Sequence, residues 1–177
     1  MRILPVLLFF LAFQVAFSQG LALKECIVIG QFDKPEDRYA LEVNLCEILN
    51  AMHVKATPAS NYVKQGGSSL VLASDSSLKA LTQKGFNTYC LVNVKGYDNR
   101  FKKSENPPIF KDGLERATIY NLYKEEISNV SFEFIFYRNG LPVYNDVYRV
   151  GNIGDRDDVI KRLKKKFPKH ILKNWLN

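Results

Sequence analysis

The sequence is poor in the residues that most often carry catalysis. Its 177 residues include only two histidines, His53 and His170, three cysteines, two methionines and one tryptophan. The histidines share no ligand spacing with any cysteine, which speaks against a zinc site and leaves no metal or cofactor expected. There is no Gly-x-x-x-x-Gly-Lys-Ser/Thr phosphate loop, no Gly-x-Ser-x-Gly elbow and no His-Glu-x-x-His. Gly30-Gln31-Phe32-Asp33 lacks the glycines of a dinucleotide fold. A nucleophile needs a base beside it, and His53 lies about two helical turns beyond Cys46, too far to activate that thiol. His53 therefore reads as a helix-end residue, and His170, set among lysines, as a solvated or capping side chain.

Long apolar runs are also scarce, and the one that stands out is at the start. Arg2 is the only charge before Lys24, and Ile3 to Phe13 is apolar apart from Pro5. Gln14 interrupts the run, and Ala16-Phe17-Ser18 places small residues where a signal peptidase reads. Residues 1–18 are thus expected to be a cleaved export signal, cut between Ser18 and Gln19. A membrane anchor needs about 20 apolar residues, more than this stretch supplies. Lipidation needs a cysteine at the cut, and Cys26 is preceded by the charged Lys24 and Glu25. The expected product is one domain over residues 19–177, in the periplasm or outside the cell and not lipidated. Three cysteines in an oxidising compartment leave at least one free thiol. One bridge among Cys26, Cys46 and Cys90 stays open, since two fall on expected strands and the third on the helix that would cover them.

The chain then alternates in character. Glu25–Gly30 is a nearly continuous apolar run, as in a strand buried on both faces, and reads as the central strand. Leu41, Leu45, Ile48, Leu49 and Met52 recur at helical spacing, predicting a helix from Pro35 to Met52 with Asp33 as its cap. Val54 to Pro58 is a short edge strand, Ser77 to Lys84 a helix closed by Gly85, and Thr88 to Val94 another inner strand. Residues 95–116, with their Lys, Pro and Gly, read as one long exposed loop, a feature often functional. Residues 117–123 are a strand or a helical turn. Val130, Phe132, Phe134 and Phe136 alternate with Ser131, Glu133 and Ile135, and Asn139-Gly140 then predicts a hairpin with a type I′ turn. A last helix starts near Asp155, turns Val159, Ile160, Leu163 and Phe167 inward, and bends or breaks at Pro168. The fold class is α/β, bordering on α+β: about five strands in two or three layers, β-α-β-α-β followed by a hairpin and a C-terminal helix.

Charge is uneven. The whole chain carries +7, and loss of Arg2 with the signal leaves +6. Lys161, Arg162, Lys164, Lys165, Lys166, Lys169 and Lys173 hold most of the excess and are the candidate contact for a polyanion. Nucleic acid is the least expected partner of an exported protein. Glu36-Asp37, Glu125-Glu126 and Asp155, Asp157 and Asp158 fall at helix starts and turns, where acids complement the helix dipole. The aromatic residues Phe132, Phe134, Phe136, Tyr137, Tyr144 and Tyr148 read as core, with sugar stacking as the alternative, and Asn129-Val130-Ser131 is a glycosylation sequon.

The Cys26–Gly30 strand, the helix from Glu36 to Met52, the segment Ser76 to Val94 and the Asn139-Gly140 hairpin together resemble the small periplasmic α/β domains of the TolB N-terminal and CsgG types, including secreted proteins of the Bacteroidota. The Phe-Ser-Gln end of the export signal resembles leaders of that group. The resemblance implies a fold, an envelope location and a binding or assembly role. The leading expectation is a non-catalytic envelope protein that docks a protein partner through its sheet edge or residues 95–116. The alternatives are a binder of anionic glycolipid or membrane surface through the C-terminal lysines, and an enzyme using Cys46, Cys90 or a buried acid.

Overall fold

A computed structural model describes residues 20–64, 67–98, 100–116 and 119–176. The expected cleavage point, Ser18 and Gln19, lies outside the described residues. Five strands form one sheet: β1 (Glu25–Gly30), β2 (Lys55–Pro58), β3 (Thr88–Gly96), β4 (Asn129–Arg138) and β5 (Leu141–Gly151), in the order β2-β1-β3-β4-β5. β1 pairs in parallel with β2 and β3, whereas β4 joins β3, and β5 joins β4, antiparallel. The α/β class and strand count are as expected. The central strand is β3, not β1, because the hairpin adds to the free side of β3.

Helices α1 (Pro35–Ala51), α2 (Asp75–Gln83), α3 (Phe110–Glu115) and α4 (Arg156–Asn174) complete three layers. Strand alternation sorts the core into two parts. One face presents Cys26, Val28, Cys90, Val92, Phe132, Phe134 and Phe136 to α1 and α4, with Leu41, Leu45, Leu163 and Phe167 buried against it. The opposite face presents Ile27, Ile29, Leu91, Ile135 and Tyr137 to Leu72, Leu81, Phe110 and Leu114. The aromatic residues of β4 are core on both faces: Phe134 lies 5.1 Å from Phe167 and 5.0 Å from Trp175, while Phe110 lies 5.2 Å from Tyr137.

Local chemistry explains the boundaries. α1 starts with Pro35, whose missing N–H leaves one donor fewer to cap, and its cap position is Lys34 without a side-chain bond; the expected Asp33 cap is not made. The helix ends where His53 adopts φ 63°, the left-handed conformation that closes helices, so this histidine is the helix-end residue expected. Ser74 caps α2 through Ser77 N. Asn139 and Gly140, at φ 51° and 75°, make the predicted hairpin turn. α4 continues through Pro168 instead of breaking there. An interior proline costs about 3 kcal/mol, and burial of Ile171 and Trp175 beyond it, worth some 1.5–3 kcal/mol per large side chain, offsets that.

Residues 95–116 are a loop only in part, and ten of the 21 described residues among them are exposed. Lys95 and Gly96 end β3, α3 occupies Phe110–Glu115, and of the described residues between them Asp98 and Ser104 are fastened to the second face of the sheet. Two polar side chains and one backbone bond hold this segment. Ser131 donates to Asp98 O (2.8 Å), Asn145 to Ser104 O (2.6 Å), and Phe110 N to Gly140 O (2.9 Å). Residues 119–123 form neither strand nor helix.

Candidate functional site

In an open sheet whose first strand connects to one side and whose third lies on the other, the crevice beyond their carboxyl ends is where ligands bind. That crevice here lies beyond Gly30 and along the second half of β3. It contains a cavity of about 230 Å³ lined by the polar residues Gln31, Asn93, Ser104, Arg116, Tyr120 and Glu133 and by Gly113.

Glu133 organises it. The residue is 5% exposed, and its Oε1 accepts from Lys95 Nζ (2.7 Å), Ser104 N (3.0 Å) and Ser104 Oγ (2.6 Å). A buried carboxylate stripped of water is costly unless paired, and these bonds do the pairing while fixing Ser104 to the sheet. Its Oε2 has no partner among the described residues. Asn93 stands directly opposite Glu133 in the β3/β4 register, and its amide makes no hydrogen bond among the described residues. Gln31 Nε2 donates to Gly113 O (2.5 Å) and Arg116 O (2.8 Å), which anchors the cavity wall to the end of β1.

Gly113 is helical, so its lack of a side chain serves close approach. A Cβ there would lie 2.7 Å from Tyr137 Oη and 3.2 Å from Leu91 Cδ2. That hydroxyl is buried without a partner, and burial pushes its pKa up while the nearby Arg116 cation pulls it down.

A second depression, about 610 Å³, flanks the start of α1 between Phe32, Tyr39, Arg38, Val63 and Lys64. Behind it the fully buried Glu42 accepts from Gly30 N (2.9 Å), Ser60 N (2.9 Å) and Arg38 Nε (3.0 Å). This carboxylate ties the end of β1 to α1 and to the 3₁₀ turn Ala59–Asn61. Asp37 is likewise no bland helix-start acid: it is 6% exposed, accepts from Leu122 N (3.2 Å) and pairs with Arg156 (3.1 Å).

On the first face, Asp146 of β5 is 3% exposed. Its Oδ2 meets His170 Nε2 (2.5 Å) and Trp175 Nε1 (2.8 Å), and its Oδ1 accepts from Val147 N (2.8 Å). His170 is therefore a partner of a buried acid, packed near Tyr148 and Phe167, and not the solvated side chain expected. Helical spacing places it on the inner flank of α4 beside Phe167 and Ile171. Burial alone would raise the Asp146 carboxyl, but the hydrogen bonds from His170 and Trp175 and the nearby Lys103 cation lower it.

Other expected residues fall elsewhere. Lys161, Lys164, Lys165, Lys166, Lys169 and Lys173 are exposed on the outer face of α4, and Arg162 is half-buried. Lys164 pairs with Glu47 of α1 at 2.8 Å. Cys26, Cys46 and Cys90 are buried free thiols whose pKa values burial pushes up, that of Cys46 to about 12, so none is poised as a nucleophile. Among the described residues no cluster could hold a metal ion and no helix is long and apolar enough to cross a membrane. The sequence reading missed Glu133, Glu42 and Asp146. The available signal was an acid inside an apolar run, as in Phe132-Glu133-Phe134 and Leu41-Glu42-Val43, where a charge has to find a buried partner.

No family model matches the chain, and no curated protein is detectably similar to it. Among solved structures it is similar to a lipoprotein, GNA1162, from Neisseria meningitidis, at 11% identity and TM-score 0.45, over 84% of this chain and 96% of that one. It is also similar to the PelC dodecamer from Paraburkholderia phytofirmans, at 13% identity and TM-score 0.42, over 83% and 92%.

Proposed function

We propose that the protein is an exported, non-catalytic module of the cell envelope that docks a partner protein by strand addition along β5. The observation that carries this reading is the open side of β5, an 11-residue strand paired only with β4. An edge strand leaves alternate backbone groups without a ladder partner, and an extended segment of another protein can take them up.

Val147 N is bonded to its neighbour's side chain, so it faces away from β4. Strand periodicity turns the Arg149 amide the same way. The hairpin half of the edge is guarded: Pro142 offers no donor, and Lys103 reaches across to the Tyr144 ring (4.9 Å) and Asp146 (3.7 Å). Residues 147–151 are left for a partner. The exposed Leu141 and Val143, next to Ile109 across the Phe110–Gly140 bond, add apolar contact at the hairpin end. Export rests on the leader-like residues 1–18, and residues 95–116, fastened in part to the sheet, leave the edge as the docking element.

The test is Arg149→Pro, which removes an outward amide and leaves the β4 ladder intact. The wild-type protein, crosslinked in envelope extract, should recover an enriched partner that slows hydrogen exchange of the β5 amides, and the variant should lose it at unchanged melting temperature. Equal recovery by both, exchange at β5 unaffected by the partner, or no enriched partner would refute the proposal.

A further inference from the structure

We infer that the cavity at the carboxyl ends of β1 and β3 binds a free α-amino acid with a small aliphatic side chain. The inference stands on the cavity alone and does not depend on the β5 edge.

Three groups around the cavity have hydrogen-bonding or charge capacity left over. Glu133 is anchored entirely through Oε1, which leaves Oε2 as an acceptor on a side chain only 7% exposed. Asn93, its half-buried cross-strand partner, adds an amide without a hydrogen bond among the described residues. Arg116 lines the cavity, and its guanidinium makes no ion pair among the described residues. Two neighbouring acceptors inside and a cation at the exposed rim match an ammonium inside and a carboxylate outside. Each such charge-assisted bond is stronger than a neutral one. The orphan Tyr137 hydroxyl behind Gly113 is a further donor or acceptor beside the wall.

Of the remaining lining, Leu91, Val94, Pro108, Ile119 and Ile135 are apolar and suit an aliphatic side chain, and Tyr120 adds an aromatic ring. Size narrows the class. A cavity of 150 Å³ holds benzene, so about 230 Å³ accommodates roughly nine non-hydrogen atoms, the size of leucine. A dicarboxylate would meet Glu133 without a proton to share, and a diamine would meet Arg116. A bare metal ion would find no cluster of ligands among the described residues.

The experiment is calorimetric titration of the full exported chain with L-leucine, leucinamide, which lacks the carboxylate, and N-acetyl-L-leucine, which lacks the ammonium. Leucine should saturate the wild-type protein at about 10 mM or below, and each blocked analogue should bind about tenfold more weakly or worse. Arg116→Ala, at an exposed position, and Asn93→Ala should each weaken leucine by a similar factor. Should Asn93→Ala fail to fold, Arg116→Ala and the two analogues still decide. No saturable leucine binding, equal binding of either analogue, or full affinity in Arg116→Ala overturns the inference.

Discussion

The two faces of the sheet are built by different means. The first is covered by two long amphipathic helices, α1 and α4, over a continuous apolar layer in which Phe134, Phe136, Phe167 and Trp175 touch one another. The second has an apolar patch under α2 and α3 and a polar half, and over that half irregular chain is pinned by Glu133, Ser131 and Asn145. Aromatic and aliphatic side chains fill the layer between the first face and its two helices. Polar pinning of irregular chain leaves gaps, and the cavity of the second face is one of them. A filled apolar layer and a polar cavity thus lie on opposite sides of one sheet.

The strongest way to break this division is to remove a charged group buried under the apolar layer, Asp146. Asp146→Ala strands His170 and the Trp175 N–H, and unfolding free energy should fall by about 3–5 kcal/mol, read by urea titration at neutral pH. Acid sharpens the reading. The folded-state carboxyl sits below its ordinary value, so its contribution is complete above about pH 4, the unfolded value, and is lost as pH falls through the folded one. The gap between wild type and Asp146→Asn should therefore narrow at low pH.

On the second face, Glu133→Gln weakens a charge-assisted clamp without emptying the site, and a loss of about 1–3 kcal/mol is expected. The effect should be local. Hydrogen exchange should quicken at residues 97–109 and stay unchanged in α1 and α4, whereas uniform acceleration would show that both faces open together. The smallest effect belongs to the outer side of α4. Joint reversal of Lys164, Lys165 and Lys166 to Glu breaks only the exposed pair with Glu47 and should change stability by about 1 kcal/mol or less. Binding to anionic vesicles should be equally indifferent; a large loss would make the lysines a membrane contact.

The periodic parts of the molecule were legible in the sequence. Leu41, Leu45 and Leu49 announced α1, Asn139-Gly140 announced the hairpin, and the alternation of Val130, Phe132, Phe134 and Phe136 announced β4. Each of these signals is local, since the spacing that buries the residues is the spacing of the element that contains them. Residues 95–116 were legible only in part: Lys, Pro and Gly mark irregular chain, but only Glu133 and Asn145, distant in sequence, decide where Ser104 is fastened. Glu133 itself hid in an alternating strand where the polar positions looked solvent-facing. His170 hid among lysines because its partner, Asp146, lies across the sheet on another element.

The sequence by itself determined the α/β class, the order of the elements and which residues could be core, because hydrophobic period and turn chemistry act within a few residues of chain. The tertiary structure decided that β3 is central, that both faces of β4 are buried, and that three acids, Glu42, Glu133 and Asp146, have buried partners. A charge can be buried only where donors from other elements meet it, and that meeting exists only once the chain has folded.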